Sequence, residues 1–216
     1  MHKPEQFLRD EKEKYGKLYV NLSFAADNIA PFVGEIKLSR RQYYSKFQYL
    51  KRYLELIDSA ELEIKNSSFL EKFGENKYVD LLKDYKNKNI KYFNQLEKCS
   101  KCSCLNCAAE CSFGSCLSCR ENSNIVSCDH EKINVTKHDS FILNLKNDKT
   151  GEEDRYIVLA TMEDPQKSIK YIAIENISTD EKFILHYIPG ISEDTYGEIT
   201  DPEEFDYIVS VLQSTN

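Results

Sequence analysis

Apolar residues in the first 98 positions recur at intervals of three and four, the spacing of helices with one hydrophobic face. Pro31 and Gly34 are expected to end or kink the first helix near Ala30. The second helix should begin after Ser39, whose side chain can act as the N-cap, and the third near Ser67 or Ser68. The pattern predicts three long helices packed as an antiparallel bundle or coiled-coil hairpin. The three apolar seams are Leu8, Tyr15, Leu18, Leu22, Ala25 and Ile29; Tyr43, Phe47, Leu50, Leu54, Ile57 and Ile64; and Phe69, Phe73, Tyr78, Leu82, Tyr85, Tyr92 and Leu96.

Beyond residue 139 apolar and polar residues alternate, which is the pattern of strands with one buried face. Four runs separated by short polar connections predict an antiparallel sheet of four strands. A helix should follow, with Asp201 as N-cap, Pro202 at its first position and Glu204 completing a capping box. Its apolar face, Phe205, Ile208, Val209 and Leu212, is expected to cover the sheet. The four runs are 141–145, 156–160, 170–177 and 182–188.

This segment reads FILNLKNDKTGEEDRYIVLATME, then KYIAIENI, KFILHYI and ITDPEEFDYIVSVL. It resembles the family of small acidic bacterial proteins catalogued as domain of unknown function 1292. The matching features are the Gly-containing first turn, the Tyr-x-Val-Leu-Ala strand and the Asp-Pro-Glu-Glu-Phe helix start, over about residues 139–213. The resemblance implies a bacterial, cytoplasmic protein, and it brings no reaction or catalytic residue to this chain.

Net charge divides the chain into three parts. Lys and Arg minus Asp and Glu give +4 for residues 1–98, zero for residues 99–138 and −11 for residues 139–216. Three compositions indicate three modules. The predicted fold class is therefore α+β, with a helical arm (1–98), a cysteine-rich metal-binding module (99–138) and an acidic sheet domain (139–216).

All eight cysteines lie in the middle part, where Cys-x2-Cys pairs offer two thiolates to one metal ion. Eight thiolates match two tetrahedral zinc sites, and two zinc ions per chain are expected. An interleaved arrangement fits the spacing best, although His130 could replace Cys128 and a thiolate could bridge two ions. One site would contain Cys99, Cys102, Cys116 and Cys119, and the other Cys104, Cys107, Cys111 and Cys128.

Disulfides and an iron–sulfur cluster fit these cysteines less well than zinc does. A reducing cytosol disfavours disulfides, and the ferredoxin spacing of iron–sulfur proteins is not reproduced. Zinc sites closed by four thiolates leave no position for a reactive water, so they fold a segment and do not hydrolyse a substrate.

Composition narrows the class of protein further. With 216 residues, 41% of them hydrophobic and 30% charged, the chain can form one or two small cores. No apolar run approaches the roughly 18 residues of a membrane span, and the polar start lacks a secretory signal, so a cytoplasmic protein without a membrane partner is expected. Motifs of nucleotide-binding loops, zinc proteases and serine hydrolases are absent from the sequence, and no enzyme is predicted.

The leading hypothesis is a non-enzymatic, zinc-binding interaction or scaffold module that binds another protein. The zinc-binding segment would join the arm to the acidic domain. One alternative is a nucleic-acid-associated regulator that uses the basic and aromatic helix from Arg40 to Tyr53. Another is a redox sensor in which thiol oxidation releases zinc. The sequence leaves the oligomeric state open.

Overall fold

The computed structural model of the chain describes residues 3–66, 75–109, 121–146, 151–191 and 193–215. The chain divides into two compact units, Met1–Ser100 and Lys101–Asn216. Helices build the first unit, and an antiparallel sheet with a final helix builds the second. The predicted α+β class is confirmed. Among the described residues of the predicted cysteine-rich module, those in two strands within 123–138 belong to the sheet of the second unit.

The helical unit contains four helices within its described residues. All six residues of the first predicted seam are buried, and Leu38 is buried as well, which confirms the helical interpretation of the arm. None of the described helices is long and apolar enough to cross a membrane. The helices are α1 (Lys3–Ser39), α2 (Gln42–Asn66), α3 (Glu75–Lys88) and α4 (Ile90–Cys99).

Gly34, and not Ala30, is the point where α1 loses helical geometry. The helix continues through Pro31, and Gly34 has φ 71° and ψ 160°, a conformation almost restricted to glycine. The predicted N-cap at Ser39 is wrong, because this residue ends α1 and its Oγ donates to the carbonyl oxygen of Ile36 at 2.9 Å.

Side-chain contacts show that α1 and α2 run antiparallel. The rings of Tyr19 and Phe47 stack with centroids 4.5 Å apart. Further along, the Tyr53 hydroxyl donates to Glu11 Oε2 at 2.5 Å. The midpoint of each pair lies within two residues of Gly34, so the chain reverses there and the two helices form a hairpin.

The third predicted helix is interrupted. Helix α3 ends at Lys88 and α4 starts at Ile90, with Asn89 between them at φ −113° and ψ 15°. The Nδ2 atom of Asn89 donates to the Tyr85 carbonyl oxygen at 2.8 Å, so its side chain competes with the backbone for helical hydrogen bonds. The predicted start at Ser67 or Ser68 lies outside the described residues, as do Phe69 and Phe73.

A cluster of aromatic rings holds α1, α2 and α4 together. Tyr15, Tyr53 and Phe93 pack edge to face, with centroids 5.2 to 5.5 Å apart. At its margin, Glu11 accepts from Lys86 Nζ at 2.8 Å as well as from the Tyr53 hydroxyl. Burial and the neighbouring Glu11 carboxylate raise the pKa of Tyr53, so this hydroxyl keeps its proton and donates.

The second unit is built on a seven-stranded sheet in which all pairs are antiparallel. The strand order is β1-β2-β4-β5-β6-β7, and β3 pairs with the first half of β4 beside β2. The strands are β1 (Ser123–Cys128), β2 (Asn134–His138), β3 (Ile142–Lys146), β4 (Glu153–Asp164), β5 (Ile169–Asn176), β6 (Lys182–Ile188) and β7 (Thr195–Glu198).

The four predicted strands correspond to β3 to β6, but the prediction of a four-stranded sheet is wrong. Strands β1 and β2 carry Cys, Ser, Asn and Lys, so they lack the long apolar alternation that identifies a strand. The pairing of β1 with β2, and of β2 with β4, compensates for this weak local pattern. Strand β7 is only four residues long and lies in an acidic loop.

The final helix, α5 (Pro202–Gln213), covers one face of the sheet. Its predicted start is confirmed, since Asp201 accepts from the Glu203 N–H at 3.0 Å and Pro202 occupies the first turn. The predicted apolar face is only partly right. Ile208 is buried and Leu212 packs on the core, but the third packing residue is Val211, and Phe205 stays 40% exposed.

Glu204 does not close a capping box. Its Oε1 atom accepts from the Tyr171 hydroxyl at 2.7 Å and lies 3.1 Å from His186 Nε2. The hydrogen bond from Tyr171 lowers the pKa of Glu204 against the effect of burial, and His186 acts in the same direction. Glu204 therefore fastens the first turn of α5 to β5 and β6.

Candidate metal centre

The loop that opens the second unit folds as two successive tight turns. The Leu105 N–H donates to the Cys102 carbonyl oxygen at 2.9 Å, and the Cys107 N–H donates to the Cys104 carbonyl oxygen at 3.2 Å. The loop is fixed to the sheet because the Ser103 N–H donates to the Ile125 carbonyl oxygen at 2.8 Å. These turns bring three cysteines beside β1.

Strand β1 supplies the fourth cysteine. Its pairing with β2 shifts between Ile125 and Ser127, and it ends at Cys128 opposite Asn134. Such a bulge bends a strand and redirects the side chains that follow it.

Four cysteines meet at Ile125. Cys104 and Ile125 are buried, and the partly buried Cys102, Cys107 and Cys128 pack against them. Cysteine is usually buried as a small apolar side chain. Here a loop and the end of a strand bring four cysteines into one small cluster. Such an arrangement is typical of metal-binding segments.

A turn after β1 places a histidine beside this cluster. Asp129 Oδ1 accepts from the N–H groups of Glu131, Lys132 and Ile133 at 2.7 to 3.1 Å. Burial opposes ionisation of Asp129, but these donors outweigh it and lower its pKa. Within the turn His130 adopts φ 70°, and its Nδ1 atom lies 3.7 Å from Cys107 Sγ.

That distance agrees with two ligands of one tetrahedral ion. With zinc–sulfur and zinc–nitrogen bonds of about 2.3 and 2.0 Å, a sulfur and a nitrogen ligand of one tetrahedral ion should be about 3.5 Å apart. The donor set is also the right one, because thiolate and imidazole are the ligands that zinc prefers. Still, no group of three or more His, Cys, Asp or Glu side chains among the described residues is arranged to hold a metal ion.

Two thiols of this cluster, Cys102 and Cys128, favour their protonated form when no cation is bound. The neighbouring Cys104 thiol and burial raise the pKa of Cys102 far above its usual range. Burial also raises the pKa of Cys128, and the charge of Asp129 adds to the effect. Reactive cysteines show the opposite shift, whereas a bound dication stabilises thiolates.

The structure brings together four of the eight predicted ligands. Cys102 joins Cys104, Cys107 and Cys128, although the spacing had grouped it with Cys99. Cys99 ends α4 in the helical unit, where Gln95 Nε2 donates to its sulfur at 3.4 Å. The described cysteines are free thiols. The remaining predicted ligands, Cys111, Cys116 and Cys119, lie outside the described residues.

The basic and aromatic segment from Arg40 to Tyr53 has few rings available for stacking on bases. Tyr43 and Tyr53 are buried. Phe47 stacks on Tyr19, and Tyr49 stacks on Tyr92 with centroids 4.2 Å apart. Tyr44 is the exception, at 46% exposure.

Comparisons of the chain with protein-family models, curated proteins and solved structures gave no match. The resemblance of residues 139–213 to the acidic bacterial family therefore stays a prediction.

Proposed function

We propose that this chain is a non-enzymatic, zinc-binding module that binds another protein. The observation that carries the zinc assignment is the convergence of Cys102, Cys104, Cys107 and Cys128 on Ile125, with His130 beside Cys107. These residues supply up to five ligands of the types that zinc prefers, in a small space between a loop and a strand end. The expectation of two zinc ions per chain continues to rest on the count of eight cysteines.

Zinc in this place would have a structural role. Residues 101–109 contain no helix or strand, and the Ser103 N–H donates a backbone hydrogen bond to Ile125 of β1. So short a loop has no hydrophobic core of its own to stabilise it. Metal binding can provide the missing folding free energy. A site closed by thiolates leaves no position for substrate, which supports a non-enzymatic role.

Zinc content tests the assignment. The full chain, purified under reducing conditions, should contain two zinc ions, and Cys104→Ser should lower the count by one. Ser127→Ala, beside Cys128 in the sequence, should leave the count unchanged. Zinc-free protein with disulfides, or an unchanged count in Cys104→Ser, would contradict the proposal.

The net charge and the aromatic residues of the second unit favour a protein partner. Residues 139–216 carry a net charge of −11, which repels nucleic acid. On the sheet face opposite α5, Tyr187 stacks on Tyr196 and Tyr156 packs edge to face on Phe183. Aromatic residues are enriched in protein interfaces, and the acidic surroundings favour a partner with basic side chains.

The two alternatives predict different measurements. A nucleic-acid regulator should show retention that falls steeply with salt and is lost in Arg40/Arg41/Arg52→Gln. A redox sensor should release zinc when treated with peroxide, because oxidised thiols no longer bind the ion.

A further inference from the structure

The reversal of the α1–α2 hairpin exposes large apolar side chains. Phe32 and Ile36 lie two residues on either side of Gly34, and each is 74% exposed. Within the described part of the helical unit they are the most exposed large apolar side chains. We call residues 31–41 the hairpin tip. Because the tip is the point where the chain reverses, these side chains lie at the end of a helical pair.

Positive charge accumulates around this tip. Residues 28–54 contain six Lys and Arg residues and one carboxylate, Glu35, in a chain whose net charge is −7. Directly after the exposed apolar residues come Lys37, Arg40 and Arg41. The tip thus combines apolar side chains with a cluster of cations.

The cations of the tip differ from the lysines that pair with carboxylates between the helices. Lysines of the helix pairs lie against carboxylates: Lys12 Nζ is 2.8 Å from Asp58, Lys14 Nζ is 2.8 Å from Glu97, and Lys86 Nζ is 2.8 Å from Glu11. Among the residues that the structure describes, Lys37, Arg40 and Arg41 have no ion pair. Their charge is available to an external anion.

We propose that the hairpin tip binds an anionic lipid surface, with Phe32 and Ile36 entering the interface and Lys37, Arg40 and Arg41 contacting the headgroups. Lipid headgroups and acyl chains together offer negative charge and an apolar phase, without needing a complementary pocket. Interfacial binding of this kind needs no spanning helix. It revises the expectation from the sequence that a membrane is not a partner, and it goes beyond the proposed function.

Other occupants fit the tip less well. Two copies meeting tip to tip would bring like charges together, which is unfavourable. Nucleic acid would use the cations, but Tyr43 and Tyr53 are buried, which leaves Tyr44 as the one exposed tyrosine of the described segment 40–53 for stacking on a base. A protein partner would need an apolar pocket with an acidic rim to match the hairpin tip.

Vesicle sedimentation tests the proposal with the full chain. We expect binding to phosphatidylcholine vesicles that contain phosphatidylserine, and binding about a hundredfold weaker to phosphatidylcholine alone. Lys37/Arg40/Arg41→Gln should weaken binding to the anionic vesicles about a hundredfold, since each cation near such a surface contributes about a factor of five. Phe32→Ser/Ile36→Ser should weaken it at least about tenfold.

Matched variants away from the tip provide the controls. Lys17/Lys65/Lys77→Gln removes the same charge, and Leu62→Ser removes an apolar side chain that is 62% exposed; both should bind as the wild type does. Circular dichroism should show that all variants are folded. The proposal would be overturned if the wild-type protein bound neither kind of vesicle, or if the tip variants bound as well as the controls. So would DNA retention lost in the cation variant without any vesicle binding. A negative result leaves the zinc assignment untouched.

Discussion

At the scale of single residues, the most informative polar contact of the second unit is that of Glu204. Its carboxylate accepts the Tyr171 hydroxyl, which belongs to an almost fully buried residue, and it lies against His186. Sequence reasoning assigned Glu204 to a capping box because its spacing from Asp201 matches that motif. The sequence contains no local sign that strands β5 and β6 present better partners.

Glu204 should make folding depend on pH. Its pKa is lowered in the folded chain, so its contribution to stability is present above the unfolded pKa of about 4.3 and is lost as the pH falls through the folded value. Glu204→Gln should therefore flatten the loss of unfolding free energy below about pH 5 and cost about 1 kcal/mol at neutral pH.

Chemical denaturation of the full chain at a series of pH values measures this effect. Glu203→Gln, one residue earlier in α5 and exposed, is the control and should keep the wild-type pH profile. Identical profiles for the wild type and Glu204→Gln would show that the carboxylate does not stabilise the fold.

At the scale of elements, apolar periodicity identified the helices and the long strands. The seams from Leu8 to Ile29 and from Tyr43 to Ile64 are made of residues that the structure buries or half-buries. Where prediction failed, a contact distant in sequence outweighed the local pattern. Strands β1 and β2 lack strong alternation; they pair with each other, and β2 pairs with β4. In α1, Pro31 looked like the helix end, yet the reversal is at Gly34, where the backbone conformation requires glycine.

Alanine substitutions at two glycines of α1 should change the free energy of unfolding in opposite directions. Gly34→Ala should lower the free energy of unfolding by about 1 to 3 kcal/mol, because φ 71° with ψ 160° is strained for a residue with a Cβ atom. Gly16→Ala should raise it by about 0.5 to 1 kcal/mol, because a Cβ there meets no atom within 4 Å and alanine favours a helix. Thermal or urea unfolding of both variants measures the pair. Equal effects of the same sign would contradict the reversal at Gly34.

At the scale of the whole molecule, the chain consists of a helical unit and a sheet unit of different charge and composition. Cysteine spacing was sufficient to single out the candidate metal centre. It named Cys128 as a ligand and His130 as a possible one, but it did not predict strand β1 or the Asp129 turn that position them, since the Asp129 hydrogen bonds form only in the folded turn. The spacing also separated Cys102 from Cys104, because neighbouring ligands of one site are seldom two residues apart.

X-ray absorption at the zinc edge tests the central claim most directly. The full chain, purified without added metal under reducing conditions, should show zinc surrounded mainly by sulfur at about 2.3 Å, with at most one nitrogen per site if His130 is a ligand. Cys104→Ser should lower the sulfur signal together with the zinc content, and Ser127→Ala should leave both unchanged. Zinc surrounded by oxygen and nitrogen at about 2.0 to 2.1 Å, or protein that contains no zinc, would contradict the account.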